Sequence, residues 1–255
     1  MTPAAFAARF PGLPPLTRLG TAGSGAEVVG FPSAGNTAVD QWSLLYAARS
    51  ETGLHPILLP PDFFQYDGEP RSADEIIATA DQLDGAQILA RLQSFRTLPT
   101  ESGREGPDGM ELAQETDYAG PLGRDILRLA IGCQPRADGS LGLVEYEVLV
   151  GLIECAEPWH VFAHLGDDNE NLELADHVAF LRHLHELYEA VPATLPHRAL
   201  ELVLGRPPAS DEDAYAAAAI YLFYNDGAYD QYDSDTVQNL AGKLKDNRVW
   251  TAWWD

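Results

Sequence analysis

Three capping boxes divide the chain: Thr37-Ala-Val-Asp40, Ser72-Ala-Asp-Glu75 and Ser210-Asp-Glu-Asp213. Each sets a hydroxyl residue three positions before an acid, at the head of an apolar pattern with helical period, which marks a helix start. The first predicts a helix through Arg49 with Val39, Trp42, Leu45 and Tyr46 on one face. The second leads into Ile76, Ile77, Ala80 and Leu83, with a further helix over 86–95. The third predicts a helix through Tyr224. Between them lie short apolar runs that read as strands: 26–31, closed by Pro32, then 55–59, 146–153 and 199–204. A helix over 173–190, one over 236–244 and a final strand over 248–254 complete the pattern. Strand–helix–strand at the start predicts a βαβ unit and a parallel pair. The expected fold is α/β (or α+β): two small lobes with a mixed sheet flanked by helices.

Residues 99–123 break the pattern. They hold Gly103, Gly106, Pro107, Gly109, Gly120, Pro121 and Gly123 with little periodicity. A stretch longer than about 12–15 residues without structure is a linker or a functional loop. The expected division is therefore an N-terminal α/β lobe at 1–98, this segment, and a C-terminal α/β domain at 124–255.

Charge narrows the function. The 39 acids and 16 bases give a formal net charge of −23, while 45% hydrophobic residues supply a core. Such a chain repels phosphate backbones and anionic membrane surfaces, so neither nucleic acid nor membrane is an expected partner. No Lys or Arg occurs from Ala137 to Leu181 or from Pro207 to Gly242. Two cysteines, Cys133 and Cys155, make no disulfide framework. The N-terminal stretch is interrupted by Arg9, Pro11, Pro14 and Pro15, which argues against a signal peptide, and no run is long enough for a membrane span. The expected location is the cytoplasm.

No complete catalytic or metal motif stands out. Gly20-Thr-Ala-Gly-Ser-Gly25 precedes a strand, whereas a phosphate loop follows a strand and opens a helix. His160 and His164 have a zinc-site spacing, with Cys155, Asp167 and Asp168 nearby. Val161, however, stands where a zinc protease has its Glu. The acidic run Asp167–Asn171 fails the calcium loop, which needs Gly at its sixth position and Glu at its twelfth; Leu172 and Val178 stand there. The expectation is no cofactor and a dispensable metal. His185 falls on an apolar stripe with Leu181 and Tyr188 and reads as structural, and no Gly-x-Ser-x-Gly elbow occurs.

The segment 214–235 holds Tyr215, Tyr221, Tyr224, Tyr229 and Tyr232 with Asp226, Asp230, Asp233 and Asp235, and no base. Tyr contributes large contact area at small entropic cost, so this tract is a candidate binding surface. The candidate binding residues are Asp226, Tyr229, Asp230, Asp233 and Asp235, with Asp167, Asp168 and Glu170 as a second contact.

Pro158-Trp159, Leu184-His-Glu-Leu-Tyr188, Leu200-Glu-Leu-Val-Leu204 with Arg206-Pro-Pro208, and the ending Arg248-Val-Trp250 to Trp253-Trp-Asp255 together resemble the bacterial domain-of-unknown-function family number 4253. Trp42-Ser-Leu-Leu-Tyr-Ala47 and Thr52-Gly-Leu-His-Pro-Ile-Leu58 extend that resemblance over most of the chain. It implies a fold rather than an activity. Two Cys-Pro loops of the family pattern are replaced here, one at Asn169-Glu-Asn171 and one at Tyr224-Asn225. Any chemistry carried by those cysteines is therefore absent from this chain.

These features predict a non-enzymatic acidic binding protein that neutralises a basic protein partner, in its sharpest form an immunity protein for a bacterial nuclease-type toxin. The alternatives are a metal- or His/Asp-dependent hydrolase built on His160, His164 and His185, and a structural or assembly module.

Overall fold

A computed structural model describes residues 1–65, 70–95, 133–135, 141–143, 147–167, 172–196, 199–225 and 237–253. The chain opens with helix α1 (Pro3–Arg9), capped by Thr2, whose hydroxyl accepts from the Ala5 N–H. A hairpin of β1 (Thr17–Thr21) and β2 (Glu27–Ala34) follows. Helices α2 (Gly35–Ala47) and α3 (Arg49–Thr52) then lead into β3 (Leu54–Leu59). Helices α4 (Ala73–Ala80) and α5 (Gly85–Phe95) come next, and β4 (Cys133–Pro135) pairs with β5 (Leu141–Leu143) as a separate ribbon.

The C-terminal half begins with β6 (Glu147–Glu154) and the short helix α6 (Val161–Leu165), entered through a tight turn at Pro158–His160. Helix α7 (Leu174–Tyr188), strands β7 (Ala190–Thr194) and β8 (Ala199–Leu204), helices α8 (Asp211–Tyr224) and α9 (Val237–Leu244), and β9 (Val249–Trp253) complete it.

Seven strands form one mixed sheet in the order β1-β2-β6-β3-β7-β8-β9. The fold class is α/β, as the sequence pattern predicts, and both halves of the chain share the sheet. The βαβ expectation needs a correction. Strands β2 and β3 run the same way but do not touch, because β6 lies between them and pairs antiparallel with each. Gly30 and Gly151 face one another across β2 and β6. A Cβ at Gly30 would meet the Val150 carbonyl oxygen at 2.0 Å, so glycine here permits close backbone approach. The parallel contact falls instead between β3 and β7, where the Leu195 N–H donates to the Leu58 carbonyl at 3.0 Å.

Helices cover both faces. On one side Phe6, Phe10, Trp42 and Leu45 from α1 and α2 pack on Phe31, Leu58, Val150 and Leu152. The Trp42 indole also donates to the Pro56 carbonyl at 2.8 Å, which fixes α2 over β3. On the other side α4 to α9 pack on Val28, Ile57, Ile153 and Leu202 through residues such as Phe162, Phe180 and Tyr221. All six residues of β3 are buried, which is why its sequence is a continuous apolar run rather than an alternation. Strand β1 is at one edge, polar and largely exposed. Among the described residues no helix is long and apolar enough to cross a membrane.

Candidate functional site

The glycine cluster 20–25 forms the β1–β2 turn. Gly25 adopts a positive φ of 82°, and its N–H donates to the Ala22 carbonyl at 2.8 Å. The turn brings Ser24 to the short helix α6, where Ser24 Oγ and His164 Nδ1 lie 2.9 Å apart. Ser24 Oγ also accepts from the Ala26 N–H at 3.3 Å. The Arg71 N–H donates to the Gly23 carbonyl at 3.0 Å, and the Arg71 guanidinium donates to Asp167 at 3.2 Å. Three segments distant in sequence thus meet at one half-exposed place.

Burial lowers the pKa of His164, neighbouring His160 lowers it further, and the Asp74 carboxylate opposes both. The imidazole is then neutral near pH 7, and in the tautomer protonated on Nε2 its Nδ1 lone pair can take the Ser24 hydroxyl proton. This is the hydrogen-bond geometry of a nucleophile and its base. His160 is also lowered by burial, against the pull of Asp81 and Glu157.

The His160/His164 zinc-type set does not assemble with Cys155 and Asp167. Asp167 is engaged by Arg71, and Cys155 lies in a different cavity beside His55. Among the described residues no three His, Cys, Asp or Glu groups come together to hold a metal ion. Of the candidate binding residues, Asp167 is described and exposed. Asp168, Glu170, Asp226, Tyr229, Asp230, Asp233 and Asp235 lie outside the described residues, as does the whole of the 99–123 segment.

Two tyrosines of the candidate tract are core. Tyr221 and Tyr224 are buried, Tyr221 against Trp250 and Tyr224 stacked on Phe180. His177 bonds the Tyr224 hydroxyl through Nδ1 at 3.0 Å and is fully buried, and burial pushes its pKa down to about 3. His185, by contrast, is half-exposed: its Nδ1 meets the Ala190 carbonyl at 3.0 Å and its ring lies 4.9 Å from Trp159. Sequence reasoning singled out His185 and passed over His177, although His177, Leu181 and Leu184 share a helical stripe. It also passed over Ser24 and Arg71, because their partnership with α6 is set by tertiary folding.

The architecture is that of an α/β protein with helices on both faces of a mixed sheet. Residues 149–255 match the family model described as Domain of unknown function (DUF4253). The match begins inside β6, so the N-terminal motifs at 42–47 and 52–58 lie outside the matched residues. No curated protein matches the chain, and no solved structure matches it.

Proposed function

We propose that the chain is an acidic binding protein that neutralises a basic protein partner, most sharply an immunity protein for a bacterial nuclease-type toxin. The observation that carries this is the surface distribution of charge. Among the described residues Asp176 and Glu201 are the buried acids, and the other acids sit at exposed positions. Asp211, Glu212 and Asp213 crowd the first turn of α8, where Lys245 meets Asp211 at 2.6 Å. With a net charge of −23 the field is not cancelled, and such a field accelerates encounter with a basic surface.

The test begins with a partner recovered by pull-down from the native host, followed by binding kinetics at two salt concentrations. Asp230→Lys with Asp233→Lys should slow association by roughly tenfold or more at low salt, and Tyr229→Ala should speed dissociation. An acidic partner, or an association rate indifferent to salt and to the charge reversals, would refute the reading.

The Ser24–His164 contact favours a second reading, a hydrolase in which His164 is the base. Under it a serine-directed fluorophosphonate probe labels Ser24, and the label is lost in His164→Gln. Labelling that is absent, or that survives in Ser24→Ala, removes this reading.

A further inference from the structure

The 20–25 turn has few anchors of its own. Strand β1 is at the edge of the sheet and pairs on one side only. Gly20, Gly23 and Gly25 leave Thr21, Ala22 and Ser24 as the side chains of the turn, and glycine brings backbone freedom that other contacts must remove. Ala22 is buried, which fixes the base of the turn. Ser24 is on its half-exposed side, so its distance to His164 depends on what ties the turn to α6.

The two elements facing the turn are firmly set. Arg71 directly precedes Ser72, the cap of α4, whose hydroxyl accepts from the Glu75 N–H at 3.3 Å. Asp167 follows Gly166, whose N–H donates to the Phe162 carbonyl at 2.8 Å. A Cβ at Gly166 would meet the Phe162 ring at 2.3 Å, so glycine lets the chain leave α6 pressed against a buried ring. Asp167 is thereby set by packing against the helix that carries His164.

Arg71 joins the turn to that helix. Its N–H donates to the Gly23 carbonyl at 3.0 Å, and a Cβ at Gly23 would come within 3.3 Å of Arg71 Nε, so the side chain lies along the turn. The guanidinium then reaches Asp167 Oδ1 at 3.2 Å. The Arg71 side chain is 23% exposed against 76% for Asp167, so the arginine is the enclosed member of the pair. The links run from Ser24 through Gly23, Arg71 and Asp167 to His164, and the ring closes where Ser24 Oγ and His164 Nδ1 lie 2.9 Å apart.

We propose that Arg71 is the positioning residue of the Ser24–His164 pair: it latches the β1–β2 turn to the end of α6 and so holds the hydroxyl against the imidazole. Its catalytic meaning rests on the hydrolase reading, whereas the contact it holds does not. An exposed ion pair adds little to global stability, so its removal is read at the pair and not in the fold.

The test uses the full-length protein with ¹⁵N-labelled histidine and follows the imidazole nitrogens of His164 near pH 7. Ser24→Ala defines their resonances without the contact. Arg71→Met keeps an apolar stem along the turn and removes the guanidinium. It should move the Nδ1 resonance from the wild-type position towards that of Ser24→Ala. Arg71→Lys can still pair with Asp167 and should return most of that shift. Arg9→Met removes an exposed ion pair with Glu51 on the other side of the sheet and should leave His164 unmoved. A second arm measures the rate of fluorophosphonate labelling, in which Ser24 Oγ bonds phosphorus, fluoride leaves and the hydroxyl proton passes to His164 Nδ1. Arg71→Met should slow it about two- to fivefold, the size an exposed ion pair allows, with urea midpoints close to wild type and with Arg71→Lys restoring the rate. His164 resonances indifferent to Ser24→Ala or to Arg71→Met, or a lysine variant no better than the methionine one, would overturn the proposal. Labelling at Ser24 that is equally fast in Arg71→Met would overturn it and leave the hydrolase reading standing. No labelling of the wild type, with the resonances moving as expected, would remove the hydrolase reading and support Arg71 as the residue that holds the contact.

Discussion

His177 and Tyr224 show how a single polar pair is held inside an apolar layer. The imidazole is enclosed by Phe162 at 4.8 Å and Tyr224 at 5.6 Å between ring centres, and its Nδ1 meets the tyrosine hydroxyl. Tyr224→Phe keeps the ring and leaves a buried nitrogen without that partner, so it should lower stability by about 1–3 kcal/mol in urea unfolding. The same burial makes a pH prediction. His177 is held down to about 3 and His55 to about 4, against an ordinary value of 6.5. Between those values the unfolded chain binds protons that the folded chain refuses. The stabilisation is therefore complete above about pH 7, falls as pH drops below 6.5, and is lost through pH 4 for His55 and pH 3 for His177. Replacing His177 by Gln should flatten this acid slope in urea midpoints measured from pH 7.5 to about 4.5; an unchanged slope would refute the assignment. The sequence pointed to His185 rather than His177, since periodicity defines a stripe but not how far neighbouring elements cover it. His177 lies under Phe162 of α6, and that contact has no local signature.

Helix starts were legible where a side chain does the capping. Ser72 Oγ accepts from the Glu75 N–H at 3.3 Å and Ser210 Oγ from the Asp213 N–H at 3.1 Å, as the capping boxes predict. Ser210→Ala should therefore cost about 1 kcal/mol, readable as a lower thermal midpoint. Thr37-Ala-Val-Asp40 misled: α2 starts three residues earlier, after Ala34, with no side-chain cap. Strands that lack an apolar run were not legible. Strand β1 is a polar edge, and β7 (Ala-Val-Pro-Ala-Thr) follows α7 directly through Glu189 in the left-handed region at φ 52°, with no glycine to mark the break. Strand β2 runs through Pro32 to Ala34 because β1 no longer pairs with it there; the register with β1 ends at Gly30. Its tightest constraint is Gly30 itself. Gly30→Ala would drive a methyl into the Val150 carbonyl, and should cost about 2–4 kcal/mol or force β2 away from β6. A full-stability Gly30→Ala protein would mean that this backbone approach is not required.

The two halves of the chain are joined by strand order rather than by a surface contact. Local patterns named β3 and β6 as strands, but the pairing of residues about ninety to a hundred positions apart leaves no mark in a local window, so the shared sheet was not legible. Its consequence concerns the matched segment 149–255, which begins within β6. On one side β6 pairs with β2, from Val29 against Leu152 to Ala34 against Glu147. On the other it pairs with β3, from Leu54 against Glu154 to Leu59 against Leu149. A fragment carrying residues 147–255 keeps β7, β8 and β9, yet removes both strands that pair with β6 among the described residues. It also removes α2, whose Trp42 and Leu45 cover Val150 and Leu152 on that face. The fragment then exposes a strand with two open edges and an uncovered apolar face, an arrangement prone to pairing with other chains. We predict that residues 147–255 in isolation show no cooperative thermal transition and poor amide dispersion. Adding a separately produced 1–98 fragment should restore dispersion, because it returns β2, β3 and α2 together. A 147–255 fragment that is monomeric and unfolds cooperatively on its own would show that the C-terminal strands and helices form a self-sufficient core, with β1 to β3 added to its edge.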